Sequence, residues 1–141
     1  MAQYTIRDLS SMFDLPASTL RYYEDMGILT DVERTPSGQR IYGQEHINRL
    51  RTICCFKHTG MSMAQLKQFF SYETDEPAHI DDVLNLLNDH REQVLHQMEE
   101  MQKAYAHALR KLHYYGDIKK SLDEGKPLPS WDDYRDMLYT E

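Results

Sequence analysis

Cationic and hydroxyl side chains gather on one short segment of this sequence. Ser18, Thr19, Arg21 and Tyr22 follow closely after Pro16. A guanidinium group binds phosphate oxygens or a base edge, and hydroxyl groups donate hydrogen bonds to the same acceptors. The segment therefore carries groups suited to phosphate and base recognition, provided that one helix presents them together.

Two short amphipathic helices are predicted to position these groups. Thr5 suits the N-cap of a first helix that ends near Phe13, and Pro16 suits the first turn of a second. Gly27 suits the left-handed residue that follows a helix end. Two helices with so tight a connection predict a helix-turn-helix, which places its second helix in the major groove of DNA. The residues predicted to face the core are Ile6, Leu9, Met12, Leu20 and Tyr23.

A small hairpin is predicted directly after the helix-turn-helix. The segment from Arg34 to Tyr42 has the pattern of two short strands, with Ser37 and Gly38 at the tip. The hairpin carries an arginine near each end, so it is interpreted as a wing beside the recognition helix.

The net charge of −7 is unevenly distributed along the chain. Residues 73–141 carry eight basic and 16 acidic side chains, whereas residues 34–67 carry six cations against Glu45 alone. A basic window beside a helix-turn-helix is the electrostatic pattern expected of phosphate binding. The overall acidity therefore does not exclude DNA binding.

Two further helices are predicted to complete the head. One extends from about Gln44 to His58, and Ser62 suits the N-cap of another from Met63 to Phe70. The apolar face of the first contains Ile47, Leu50, Ile53 and Cys54.

A long helix is predicted from Asp81 to about Tyr115, a stretch without proline or glycine. Its apolar residues recur at alternating intervals of three and four, interrupted once by Arg91. A one-sided helix about 50 Å long is too large to be covered by a small head, so we expect it to pair with a second copy. The alternative is a long helix packed only on its own head. The apolar positions are Leu84, Leu87, Val94, Met98, Met101, Tyr105, Ala108, Leu112 and Tyr115.

The predicted fold is therefore mainly α. A winged helix-turn-helix head with a small β-hairpin wing occupies residues 1–72, and 73–80 form a linker. A coiled-coil dimerisation helix occupies 81–116. The tail, 117–141, carries a short capped helix predicted over Ser130–Tyr139.

Several classes of protein are disfavoured by the sequence. No apolar run approaches the ~20 residues of a membrane span, and the start of the chain lacks a signal-peptide pattern. Two cysteines without a secretion signal agree with a reducing cytoplasm. No phosphate loop, nucleophile elbow or zinc motif is present, so we expect no enzyme activity, no cofactor and no metal site.

The motifs together resemble the MerR family of transcriptional regulators. The resemblance covers residues 3–72 and implies a homodimer, joined by an antiparallel coiled coil, whose heads bind a palindromic operator. It also implies an activated dimer that distorts double-stranded DNA at an overlong promoter spacer for RNA polymerase. The motifs are Tyr4-Thr-Ile, Thr19-Leu-Arg-Tyr-Tyr-Glu24, Gly27-Ile-Leu29, Arg34, Gly38, Arg40, Tyr42 and Gly60-Met-Ser62.

The resemblance further implies which residues contact DNA. Arg21 and Tyr22 match positions that reach phosphates and base edges, and Lys57 and Met61 lie where a second wing approaches phosphates. Tyr22 as a plain surface aromatic and Lys57 as a solvated cation are the alternatives. The implied set is Ser18, Thr19, Arg21, Tyr22, Arg34, Ser37, Gly38, Arg40, Tyr42, Lys57 and His58.

The sequence around Cys55 resembles the branch of that family that responds to reactive aldehydes and to nitrosative or oxidative stress. In that branch one cysteine stands five residues before the glycine, as Cys55 stands before Gly60. Arg51 at i−4 and His58 at i+3 can stabilise a thiolate there. Its neighbour Cys54 is interpreted as a small core residue, although the pair leaves open which thiol reacts. A buried, inert Cys55 is the alternative.

Two other functions are compatible with the sequence. The acidic, aromatic second half could bind a small cationic aromatic ligand, although a tail packed over the dimer helices is the simpler interpretation. A protein-interaction module that no longer binds DNA is the third possibility. The candidate ligand residues are Tyr105, Tyr114, Tyr115, Trp131, Tyr134, Tyr139, Asp132, Asp133 and Asp136.

Overall fold

A computed structural model describes residues 2–138 of the chain. The described residues divide into two compact units, 2–91 and 92–138. The mainly α fold, with a helix-turn-helix head, a two-stranded hairpin and a long following helix, is confirmed. The helices are α1 (Ile6–Phe13), α2 (Ala17–Asp25), α3 (Gln44–His58), α4 (Met63–Tyr72) and α5 (Ile80–Glu124), and the antiparallel strands are β1 (Glu33–Arg34) and β2 (Arg40–Ile41).

Local capping sets the helix ends of the head, as the sequence predicts. Thr5 Oγ1 accepts the Asp8 N–H at 3.1 Å, while the Asp8 carboxylate accepts the Thr5 N–H at 2.9 Å. Ser62 forms the same reciprocal cap with Gln65 at the start of α4. Gly27 follows α2 with a φ of +79°, a conformation that favours glycine.

The core of the head joins α1 and α2 to α3 and α4. One prediction about this core is wrong, because the side chain of Met12 is 50% exposed. At about 100° per residue, Met12 lies well off the line through Ile6 and Leu9, whereas Phe13 returns to it and packs against the core. The buried residues include Leu9, Leu20, Tyr23, Ile28, Leu29, Ile47, Leu50, Ile53, Leu66 and Phe70.

A buried histidine ties the start of α3 to the segment after α2. The Gly43 N–H donates to Nδ1 of His46 at 2.9 Å, and Nε2 of His46 lies 2.8 Å from the carbonyl oxygen of Thr30. Because a carbonyl only accepts, Nε2 carries the proton and Nδ1 is free to accept. The side chain therefore satisfies two backbone groups at once.

Replacing His46 with leucine is expected to destabilise the protein by about 2–3 kcal/mol, because the Gly43 N–H and the Thr30 carbonyl lose their partners inside the protein. Urea unfolding monitored by circular dichroism measures this loss. Gln44→Leu, at an exposed position of the same helix, serves as the control and should change stability by less than about 0.5 kcal/mol. Equal losses in the two variants would contradict the role of His46.

The long helix α5 extends further than the sequence predicts. Its expected end near Tyr115 is wrong, because the helix continues through Gly116 to Glu124. A single interior glycine costs only about 1 kcal/mol relative to alanine, so Gly116 does not by itself end the helix. The end comes at Gly125, where φ is +68°. None of the helices within residues 2–138 is long and apolar enough to cross a membrane.

The tail after α5 forms no α-helix within the described residues. Where the sequence predicts a capped helix over Ser130–Tyr139, the structure has a short 3-10 turn at Trp131–Asp133, and Tyr139 lies outside the described residues. Ser130 still caps the turn by accepting the Asp132 N–H at 3.4 Å.

One apolar face of α5 lies open to solvent. The side chains of Met98, Met101, Tyr105, Leu112 and Tyr115 are each more than half exposed in the second unit. They belong to the apolar residues that recur along the sequence at alternating intervals of three and four. An open stripe of this kind marks an interaction surface.

Candidate nucleic-acid interface

The outer face of α2 presents the candidate base- and phosphate-binding groups together. Ser18, Arg21 and Tyr22 are exposed at i, i+3 and i+4, whereas Leu20 and Tyr23 are buried. The core role predicted for Tyr23 is thus confirmed. Within residues 2–138, the Arg21 guanidinium makes no ion pair, so its charge is available to a phosphate or a base. Thr19 is half-buried beside them.

The wing turns at Gly38, which has a φ of +88°. Thr35 Oγ1 accepts the Gln39 N–H at 3.0 Å and lies 2.8 Å from the hydroxyl of Ser37. The Gly38 carbonyl accepts a hydrogen bond from Arg34 at 3.2 Å. These bonds order the tip while Ser37 and Gly38 stay exposed.

Both wing arginines are engaged by one acidic residue of the recognition helix. Arg40 Nε donates to the Glu24 carboxylate at 2.6 Å, and an Arg34 nitrogen lies 3.5 Å from its other oxygen. The hydrogen bond with Glu24 raises the pKa of Arg40. The sequence alone assigns the two arginines to DNA binding and gives Glu24 no role. A carboxylate on a helix that faces DNA would repel phosphates unless a cation lies nearby, so Glu24 is a sequence signal for such a pair.

Two residues predicted at the DNA surface are instead buried. The Tyr42 side chain has no exposed surface, and its ring packs edge-on against His46 at 5.5 Å between centroids. Its backbone pairs with Tyr4 through hydrogen bonds of 2.8 and 2.9 Å, which turns the ring toward the core, and burial raises the pKa of its phenol. Met61 is also buried. The placement of Tyr42 and Met61 at the DNA surface stays a prediction, with neither side chain presented to solvent in the isolated chain, whereas Lys57 and His58 are exposed at the end of α3.

The two cysteines of α3 differ in environment. Cys55 is exposed, and its carbonyl oxygen accepts a hydrogen bond from Thr59 at 3.1 Å. Cys54 is half-buried, and burial raises the pKa of its thiol. The thiol of Cys54 is therefore less ionised near neutral pH than an unperturbed cysteine.

The aromatic side chains of the tail pack on α5 within the second unit. The Trp131 ring contacts the rings of Tyr114 and His107, with centroids 5.4 and 5.8 Å apart. Tyr134 packs on Tyr114 at 5.3 Å. Lys111 Nζ lies 3.6 Å from the centroid of Trp131. The chain's own cation thus takes the position over Trp131 that a cationic ligand would need.

The candidate ligand residues are divided between two surfaces. Tyr105 and Tyr115 lie exposed along α5. The acidic side chains of Asp132 and Asp136 approach Arg135 at 3.8 and 3.4 Å. Among the residues that the structure describes, no three His, Cys, Asp or Glu side chains are grouped as a metal site requires.

The head thus has the architecture of a winged helix-turn-helix DNA-binding protein. Sequence comparison places it more narrowly: the family model described as "MerR HTH family regulatory protein" matches residues 4–73, and that described as "MerR, DNA binding" matches 47–110. The chain belongs to the MerR family, and it is a DNA-binding transcriptional regulator of that family.

Individual relatives agree with this assignment. The chain is 32% identical over 90 residues to the HTH-type transcriptional regulator AdhR of Bacillus subtilis. The aligned residues make up 64% of this chain and 64% of AdhR. It is 30% identical over 117 residues to an HTH-type transcriptional regulator of Haemophilus influenzae, covering 82% of this chain and 86% of that relative. Its fold is similar to that of HiNmlR, a MerR family regulator lacking the sensor domain, solved bound to promoter DNA. The TM-score is 0.77 at 26% identity, over 89% of this chain and 92% of HiNmlR.

Proposed function

We propose that the chain regulates transcription as a homodimer on a palindromic operator. The recognition helix α2 enters the major groove of each half-site, and the wing contacts the neighbouring backbone. The observation that carries this proposal is the outer face of α2, where Ser18, Arg21 and Tyr22 are exposed and Arg21 has no ion-pair partner among residues 2–138. The similarity to HiNmlR, which was solved on promoter DNA, supports it.

The open face of α5 supports the dimer. An apolar stripe that includes Met101 and Leu112 is more than half exposed in the isolated chain. A second copy in antiparallel orientation offers a matching stripe and buries both. The two heads of such a dimer are related by two-fold symmetry and each binds one half-site, so the operator must be palindromic.

We propose that the activated dimer distorts an overlong promoter spacer so that RNA polymerase can engage both promoter elements. A regulator of this kind acts in the cytoplasm, where its promoter DNA lies. In vitro transcription from promoters whose spacers differ by one base pair tests this mechanism. Activation should be largest on the overlong spacer and should vanish on the optimal one, and equal activation on both would contradict distortion.

DNA binding itself is tested by gel shift on operator and scrambled duplexes at two salt concentrations. A regulator that neutralises phosphates loses affinity steeply with salt, with a slope of about −0.9 per phosphate in log–log form. If the affinity for DNA changes with neither the salt concentration nor the sequence of the duplex, the chain does not bind phosphates specifically, and the result would indicate a protein-interaction module.

We further propose Cys55 as the site through which an electrophile or oxidant switches the regulator. Its exposed position at the last turn of α3 supports this role. The same turn is connected to α5 inside the first unit: Thr59 Oγ1 lies 2.8 Å from Nε2 of His90, and the ring of Phe56 lies 5.2 Å from that of His90. A change in the turn can therefore reach the helix that joins the two copies.

Cys55→Ser is expected to lower induction by an electrophilic aldehyde or hydrogen peroxide by about tenfold or more, because a serine hydroxyl is not ionised at neutral pH. Cys54→Ser should retain induction. Brief alkylation with N-ethylmaleimide followed by mass spectrometry should label Cys55 first, because Cys54 is half-buried and its thiol pKa is raised. Full induction in both serine variants would reject the thiol switch.

A further inference from the structure

A single carboxylate connects the recognition helix to both strands of the wing. Glu24 lies in the last turn of α2, and its two oxygens approach Arg40 at 2.6 Å and Arg34 at 3.5 Å. Arg34 and Arg40 are themselves cross-strand partners, one in β1 and the other in β2. The side chains of Glu24 and Arg40 are each 21% exposed, so this is not a fully solvated surface pair.

The arrangement has an electrostatic requirement. Two like charges placed directly opposite in an antiparallel pair repel each other, which destabilises the hairpin. The Glu24 carboxylate offsets this repulsion, and partial burial keeps the attraction stronger than in a solvated pair. The three side chains together carry one net positive charge, so only part of the wing's cationic character is available to DNA.

We infer that Glu24 is a positioning residue that sets operator selectivity by holding the wing arginines in one geometry against the recognition helix. A free arginine on a flexible stem binds a phosphate of any duplex, and such contacts carry no sequence information. Because Glu24 fixes the two arginines relative to α2, they reach phosphates only on a duplex whose major groove binds α2 at the same time. The inference rests on the proposed DNA-binding face.

The variant Glu24→Gln tests this role, and Asp25→Asn is its matched control. Asp25 is the next residue of α2, it is exposed, and it forms no salt bridge among the described residues. It acts on Arg40 only through a weaker charge–charge interaction, so its replacement removes the same charge while the contacts of Glu24 with the wing stay in place. Each protein is titrated against an operator duplex and a scrambled duplex over a salt series.

Glu24→Gln should raise affinity for the scrambled duplex and steepen its log–log salt slope by about one or more, since freed arginines neutralise additional phosphates. The ratio of operator to scrambled affinity should fall about tenfold. Asp25→Asn should change that ratio less than twofold and leave the slope unchanged. A Glu24→Gln protein that matches Asp25→Asn in both readouts would overturn the inference.

Glu24→Asp separates position from charge. It keeps the carboxylate but shortens the side chain, so the selectivity ratio should fall while the salt slope stays near that of the unmodified protein. Full selectivity in Glu24→Asp together with full selectivity in Glu24→Gln would also overturn the role. If the unmodified protein itself fails to prefer the operator, the proposed DNA-binding function fails instead, and the two failures are thereby distinguished.

Discussion

Replacing Met101 with glutamate is expected to abolish dimerisation at micromolar concentration and, with it, tight operator binding. The Met101 side chain is 71% exposed in the isolated chain and lies in the middle of the open stripe of α5. Pairing of two copies would bury the new carboxylate without a partner, at a cost of about 3–5 kcal/mol. Dimerisation should therefore weaken by at least about 100-fold.

Sedimentation equilibrium measures the oligomeric state, and fluorescence anisotropy on a two-half-site duplex measures the loss of operator affinity. A monomer retains only one half-site contact and loses the effective concentration that links the heads. His96→Glu is the matched control, because His96 is exposed and lies about 140° around the helix from Met101 at 100° per residue. A Met101→Glu protein that stays dimeric would exclude this face as the dimer interface.

The helix ends of the head could be predicted from the sequence, because they depend on residues that are close together along the chain. Thr5, Ser62 and Gly27 each determine a helix end through contacts or backbone conformation within a few residues. The exposed face of α2 likewise follows from helical periodicity once the start of the helix is known. The fold could therefore be assigned from motifs whose residues lie within a few positions of each other in the sequence.

Which cations of the head are free to bind phosphates could not be predicted from the sequence in the same way. Residues 34–67 contain six cations, but Arg34, Arg40 and Arg49 are each paired with a carboxylate outside that window. The Arg49 guanidinium contacts Glu73 at 3.1 Å and stacks 4.0 Å above the Phe70 ring. A count along the sequence overstates the free positive charge because ion pairs depend on tertiary placement.

The burial of Tyr42 and the end of α5 show the same limit. An isolated tyrosine at the end of a two-residue strand has no periodic pattern, so its inward orientation depends on the bridge to Tyr4. Gly116 is a plausible helix end by composition, but Tyr134 contacts the helix on either side of it, through the ring of Tyr114 and through a hydrogen bond donated to the carboxylate of Asp117. Long-range packing decides both cases.

Arg21→Ala is expected to weaken operator binding by about 1–3 kcal/mol per head, or roughly 5- to 150-fold for each half-site. Arg21 is exposed on the outer face of α2 and makes no ion pair within residues 2–138, so its replacement breaks no internal ion pair and the loss of affinity measures the proposed contact with DNA. Thermal unfolding should be nearly unchanged. Arg40→Ala, by contrast, also breaks the 2.6 Å contact with Glu24 and should perturb the wing.

Arg21→Lys distinguishes the two contacts that this side chain can make. A lysine retains most of a phosphate contact, but it cannot reproduce the bidentate geometry with which arginine reads a guanine. Retained affinity and selectivity in Arg21→Lys would therefore assign Arg21 to the backbone, whereas lost selectivity at one base pair would assign it to that base. Lys119→Ala removes an equal charge from α5 as the control. If Arg21→Ala binds the operator as tightly as Lys119→Ala at moderate salt, α2 does not use this side chain to bind DNA.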